Sequence, residues 1–159
     1  MDDALRPGSG LSSPRRWALF AGVYAFVCGA FVAVLLSDVL RVFVDVAGLP
    51  SGFPIPLFAT PALVAGTLCW WRVVERRRAF GFRSGAAFGL VTALCTGGLW
   101  TAWFAVRWGP EMLAAGPVLL IVGLTLAFAA VAGVFVGVPL AYVRRRIGVE
   151  SAAATANSL

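Results

Sequence analysis

The sequence predicts an all-α integral membrane protein: a four-transmembrane-helix bundle that reads as two parallel repeats of a helical hairpin. Three observations carry this. Of 159 residues, 60% are hydrophobic and 13% charged, against about 45–50% and 25% in a soluble domain. Four uncharged stretches, 17–37, 46–71, 84–106 and 112–143, run for 21, 26, 23 and 32 residues. An ungapped shift of 67 residues lays the first two on the last two, with 13 of 64 positions identical. About 20 apolar residues cross a hydrocarbon core of roughly 30 Å, so each stretch is long enough. In lipid the backbone must satisfy its own hydrogen bonds, which makes such runs helical. The alternation of a transmembrane barrel is missing from segments such as VCGAFVAVLL at 27–36.

Taken in order, residues 1–16 mix Gly, Ser, Pro and charge and read as a disordered tail. Arg15-Arg16 before an apolar run resembles an export signal, but 21 apolar residues exceed a signal core of about 7–15. The first span, 17–37, is therefore read as uncleaved, and Cys28, behind bulky Phe26 and Val27, as no lipid-anchor cysteine. Asp38, Arg41 and Asp45 are three and four apart, with Val39, Leu40, Val42, Phe43 and Val46 between and around them. Residues 37–47 thus read as an interfacial amphipathic helix. With Arg107 and Glu111 those charges are candidates for an outer polar mouth; the plainer reading is a solvated ion-pair face. Pro50, Pro54, Pro56 and Pro61 trim the second span to 54–74, with a kink at Pro61. The third span is 84–106. Gly116-Pro117 starts the fourth, 117–143, whose 27 residues are about 40 Å long and require tilt. Pro139 is expected to bend it. Residues 147–159 read as a second disordered tail.

Every basic residue is Arg; there is no Lys and no His. A four-span arrangement puts eleven of the thirteen on one side, leaving Arg41 and Arg107 opposite. By the positive-inside rule both termini are cytoplasmic. The same asymmetry makes Arg76, Arg77, Arg78, Arg144, Arg145 and Arg146 candidates for anionic lipid headgroups. Nucleic acid is not an expected partner despite a pI near 10.6, for want of a soluble basic domain. Trp17, Trp70 and Trp71 fall at the inner ends of spans and Trp100, Trp103 and Trp108 at the outer end, as two interfacial belts. The all-Arg, Ala/Val/Gly-rich composition suggests the plasma membrane of a prokaryote with a GC-rich genome.

Small residues recur at every fourth position. The third span carries Gly81, Gly85, Gly89, Ala93, Gly97, Thr101 and Ala105; the fourth carries Ala129, Gly133, Gly137 and Ala141. Such rows let helix backbones approach closely in lipid, within one bundle or between copies. In the overlay Gly22 falls on Gly89, Cys28 on Cys95, Pro50 on Pro117, and Val64-Ala65-Gly66 on Val131-Ala132-Gly133.

Chemistry-bearing groups are sparse. The absence of His excludes a His-based metal or acid–base site. Cys28, Cys69 and Cys95 sit within spans without a C-x-x-C pairing, and read as packing residues. No phosphate loop or zinc motif occurs, and no carboxylate pair suits general acid–base work. The expectation is a protein that is not an enzyme and takes no cofactor. Its partners would be the bilayer, with anionic lipids, and further copies or a larger membrane complex. Two functions follow: a structural, accessory or homo-oligomeric membrane component, or a small-solute channel or transporter with its path between the hairpins. A cavity lined by Thr67, Thr92, Thr96, Thr101 or Thr125 would favour the second, a dry bundle the first.

Overall fold

The computed structural model describes residues 14–46, 48–50, 52–77 and 81–156, and every element in them is helical. The first span is α1, Pro14–Leu35; Pro14 stands in its first turn, where a missing N–H costs nothing. A short break at Leu36 leads into α2, Ser37–Val46. Gly48, at φ 67°, closes α2 with its N–H on the Asp45 carbonyl at 3.2 Å.

The second span has three parts: a 3₁₀ segment, Ile55–Ala59, then α3, Thr60–Trp70, then a π-turn, Trp71–Glu75. Pro61 therefore starts an α-helix and does not kink one. The 3₁₀ segment reconciles the two, because its bonds skip the N–H that Pro61 lacks: the Thr60 N–H caps the Leu57 carbonyl. The third span is α4, Phe82–Trp108, stopped by Gly109 at φ 90°, a backbone that side-chain-bearing residues rarely adopt. A single turn, α5, Pro110–Ala114, precedes α6, Gly116–Ala156. The sequence reading ends regular structure at 146, but α6 runs on through the Ala-rich stretch to Ala156. Alanine is the best helix former and no proline intervenes. The proposed tail 1–13, with Ala47, Ser51, 78–80 and 157–159, lies outside the described residues.

Four helical stretches, Pro14–Leu35, Ile55–Glu75, Phe82–Trp108 and Gly116–Ile147, are long and apolar enough to cross a membrane. The chain is an all-α, multi-pass membrane protein. Its spans pack as two hairpins: α1 against the second span, and α4 against α6, the most extensive pairing. The hairpins join through α3 and α4. They also join at the arginine-rich end, where Trp17, Ala18, Ala21, Trp70, Val74, Phe88, Leu140 and Ala141 form one buried cluster drawn from all four spans.

That cluster corrects the belt assignment. Trp70 is fully buried and Trp17 nearly so, so they are core residues and not interfacial anchors. Trp70 packs edge-on to Phe88, ring centroids 5.1 Å apart. Trp71, Trp103 and Trp108 remain exposed.

Candidate functional site

The polar centre of the molecule lies in that core and turns on Glu75, a residue the sequence reading passed over. Glu75 ends the π-turn, whose wider winding is closed by the Arg76 N–H on the Trp71 carbonyl at 2.8 Å. The extra residue in this turn leaves both Val74 and Glu75 buried. Arg144 of α6 donates from Nε to Glu75 Oε1 at 3.1 Å, and the side chains are 14% and 4% exposed. The Trp70 indole N–H donates to the same oxygen at 3.4 Å. On its other side the Arg144 guanidinium lies 5.0 Å from the Trp17 ring centroid. Carboxylate and aromatic face thus replace the water a buried cation loses. The arrangement ties α1, the second span and α6 at one depth.

This site binds itself. Its one carboxylate is occupied by two donors from the chain, and its cation by a carboxylate and a ring. Both donors meet the same carboxylate oxygen, and such a pair holds elements in register.

The opposite end is aromatic. Phe58, in the 3₁₀ segment, packs edge-on with Phe43 of α2 and Phe53 and at a tilt with Trp100 of α4, at centroid distances of 5.7, 5.3 and 4.8 Å. Phe43 also meets Phe104 at 4.5 Å. The Trp100 indole N–H donates to the Phe58 carbonyl at 3.0 Å.

The predicted packing residues fall mainly between α4 and α6. A Cβ built on Gly85 would lie 2.7 Å from the Ala141 Cβ and 2.8 Å from the Gly137 carbonyl oxygen. Gly89 and Gly133 approach each other's carbonyls more closely still, and Gly137 approaches those of Gly85. The Ala93 Cβ faces Gly133 at 2.9 Å from the position a side chain would take, and Gly97 abuts Leu126. Gly81 has open space around it. In the first hairpin Gly22 lies against Thr67 and the Leu63 carbonyl, and Gly66 against Ala25 and the Gly22 Cα; farther along, a Cβ on Gly29 would lie 3.1 Å from the Ala59 Cβ, a looser approach.

The six arginines divide. Arg144 is turned inward. Arg76 lies over Trp71 and Arg146 over Tyr142, at 6.0 and 5.2 Å from the ring centroids. Arg77 and Arg145 are exposed, and Arg78 lies outside the described residues. Asp38, Arg41, Asp45, Arg107 and Glu111 are all exposed. Arg107 lies over Trp108, 5.8 Å from the ring centroid, and passes Gly48, which brings the end of α4 and the segment after α2 together. Among the described residues, Asp38, Arg41 and Asp45 form no ion pair with one another.

The span threonines are mostly occupied. Thr67, Thr96, Thr101 and Thr125 each donate to the carbonyl four residues earlier, at 2.8, 2.8, 2.9 and 2.8 Å. Thr92 differs: its hydroxyl is buried, bonds no carbonyl and faces the Cys69 side chain.

No protein-family model, no curated protein and no solved structure matches the chain.

Proposed function

We propose that the chain is a non-catalytic structural or accessory component of a prokaryotic plasma membrane, with both termini cytoplasmic. One observation carries the reading. The interface between the hairpins is filled by Trp70, Phe88 and Val74, the largest fully buried side chains, and closed by an ion pair that satisfies itself. The hydroxyls of Thr67, Thr96, Thr101 and Thr125 are likewise spent on their own helices, so they are poor lining for a polar path. The small-residue row of α4 is taken up by α6, so self-association would use the outward faces of the bundle. The orientation rests on the arginine asymmetry.

The second reading, a small-solute channel or transporter with its path between the hairpins, has one observation in its favour. The Thr92 hydroxyl, which bonds no carbonyl, is buried on α4, and α4 is the helix that meets the other hairpin.

Reconstitution into liposomes separates the two. Stopped-flow light scattering with glycerol and with potassium salts should match empty vesicles at every protein-to-lipid ratio. Flux that rises with protein and is lost in Thr92→Val would reverse the order of the readings. Thiol labelling of single cysteines at Ser12, Ser51, Gly109 and Ser158, in a chain freed of its native cysteines, should report inside, outside, outside, inside. The opposite pattern would invert the orientation.

A further inference from the structure

A hollow of about 250 Å³ opens on the surface of the second hairpin, lined by Phe82, Val138, Pro139, Tyr142 and Arg145. Four of these lie on α6 at 138, 139, 142 and 145, spacings that share one helix face. Phe82, at the start of α4, forms the facing wall and is largely exposed. The hollow has a direction. One end is Val138 and Pro139, toward the middle of α6; about 10 Å along the axis the other end is Arg145, at the arginine-rich end. Val138 and Pro139 contribute short apolar side chains to the lining, and Phe82 and Tyr142 contribute rings. The Arg146 guanidinium lies 5.2 Å from the Tyr142 ring centroid.

We propose that this groove is a binding site for an anionic phospholipid of the surrounding bilayer. An acyl chain lies along Val138, Pro139 and the two rings, and the phosphate meets Arg145. Charge and geometry agree on this occupant. A lipid in that leaflet points its chain toward the membrane centre and its phosphate toward the arginine-rich end, which is the polarity of the groove. Guanidinium is suited to phosphate because it donates two parallel hydrogen bonds. Arg144 is spent on Glu75 and Arg146 on Tyr142, which leaves Arg145 as the member of the triplet that lines the groove. The inference rests on the chain being a membrane protein, and is independent of whether the bundle conducts.

The test is native mass spectrometry of the full chain in detergent, titrated with dioleoyl phosphatidylglycerol and, separately, dioleoyl phosphatidylcholine. Phosphatidylglycerol should be retained in preference. Arg145→Gln should weaken its retention about fivefold, and Phe82→Ala, which removes one wall, should also weaken it. Both positions are exposed, so folding is not at stake. Arg76→Gln, an equal loss of charge on the other hairpin, should change little. Glycerol phosphate, a headgroup without chains, should not compete. The proposal fails if Arg76→Gln costs as much as Arg145→Gln, which would mean unspecific attraction. It fails also if Phe82→Ala is silent, or if glycerol phosphate displaces the lipid, which would mark a soluble-anion site.

Discussion

The two hairpins share one crossing and differ in what surrounds it. The shift of 67 residues that overlays their sequences carries Gly22 onto Gly89 and Gly66 onto Gly133. Both pairs stand where the two helices of a hairpin come closest. In the second hairpin the close approach extends over further turns, through Gly85, Gly137 and Ala141. In the first, the position matching Gly137 is Trp70. An indole cannot sit in a glycine crossing, and Trp70 packs on Phe88 of the other hairpin instead. The next differences follow the same line: Glu75 matches Tyr142, and Arg144 matches Arg77. Tyr142 and Arg77 are exposed, whereas Glu75 and Arg144 are paired inside. The glycine pair is what each hairpin needs to close. The departures from symmetry, Trp70, Glu75 and Arg144, are what join one hairpin to the other.

The largest effect should come from breaking the second crossing. Gly89→Leu places a side chain where the Gly133 carbonyl stands, and a backbone cannot step aside as a side chain can. Overpacking generally costs about 1–3 kcal/mol, and this substitution should exceed that range, visible as lost monodispersity and a much lower unfolding temperature in detergent. The matching Gly22→Leu should cost somewhat less, because one of its obstacles is a side-chain group, the Thr67 hydroxyl, which can move if it gives up its bond to the Leu63 carbonyl. Equal losses would mean that the crossings are equally tight, and the contrast drawn between the hairpins would fall. A wild-type unfolding temperature for Gly89→Leu would mean that α4 and α6 do not meet along this row.

The ion pair comes next. Arg144→Met leaves the Glu75 carboxylate buried with only the long Trp70 contact. Breaking a fully buried pair costs about 3–5 kcal/mol; at the end of the bundle about 2–3 kcal/mol is expected. Arg77→Met, the same change at the matching position, should cost almost nothing, since Arg77 is exposed. The double variant Glu75→Gln/Arg144→Met should be more stable than Arg144→Met alone, the mark of a coupled pair. Thermal unfolding of these variants, of Glu75→Gln alone and of the wild type closes the cycle. If Arg77→Met is as harmful as Arg144→Met, the charge asymmetry of the hairpins has no energetic meaning.

These two sites were unequally legible in the sequence. The glycine rows could be read because close helix approach needs small residues at a fixed period, which is a property of one helix at a time. Their partner could not, since α4's row could equally have met a second copy. The four spans followed from length and hydropathy, but the π-turn at 71–75 did not, because it is set by how Val74 and Glu75 are buried and leaves no compositional trace. Glu75 carried a signal that went unused: it is the one acidic residue between Asp45 and Glu111. It lies among arginines at a span boundary, where a charge ordinarily marks the edge of a membrane and nothing more. Trp17 and Trp70 were misplaced for a related reason. Interfacial position and core position look alike in sequence when the polar partner of the ring, here Arg144 or Glu75, lies on another helix.

A smaller effect should come from the aromatic end. Trp100→Phe keeps the packing on Phe58 but removes the indole donor from the Phe58 carbonyl. The loss should be about 1 kcal/mol, somewhat more if the carbonyl finds no water. The first hairpin contributes no tryptophan here: the position matching Trp100 is Ala33. Ala33→Trp should therefore be more damaging than Trp100→Phe, since Ala33 is buried. If Trp100→Phe costs nothing in thermal unfolding, the bond to the 3₁₀ segment does not hold that end together.

The smallest effect, and the one most diagnostic of the crossing argument, belongs to a glycine outside it. Gly98 lies in α4 one residue beyond Gly97, and a Cβ there would meet nothing within 4 Å. A glycine inside a helix is less stable than alanine by about 0.5–1 kcal/mol, because the unfolded chain has more freedom to lose. Gly98→Ala should therefore stabilise the protein slightly, or leave it unchanged where the surrounding bilayer already restricts the helix. Gly97→Ala, one position round the helix, pushes against the Leu126 side chain. It should lose that gain or reverse it mildly, because the end of a leucine can shift where the Gly133 carbonyl cannot. The three substitutions Gly98→Ala, Gly97→Ala and Gly89→Ala differ by one methyl group each on the same helix. Their unfolding temperatures should fall in that order. If Gly98→Ala proves as harmful as Gly89→Ala, α4 needs glycine for a backbone reason along its whole length, and the distances to α6 would no longer explain why the two hairpins close where they do.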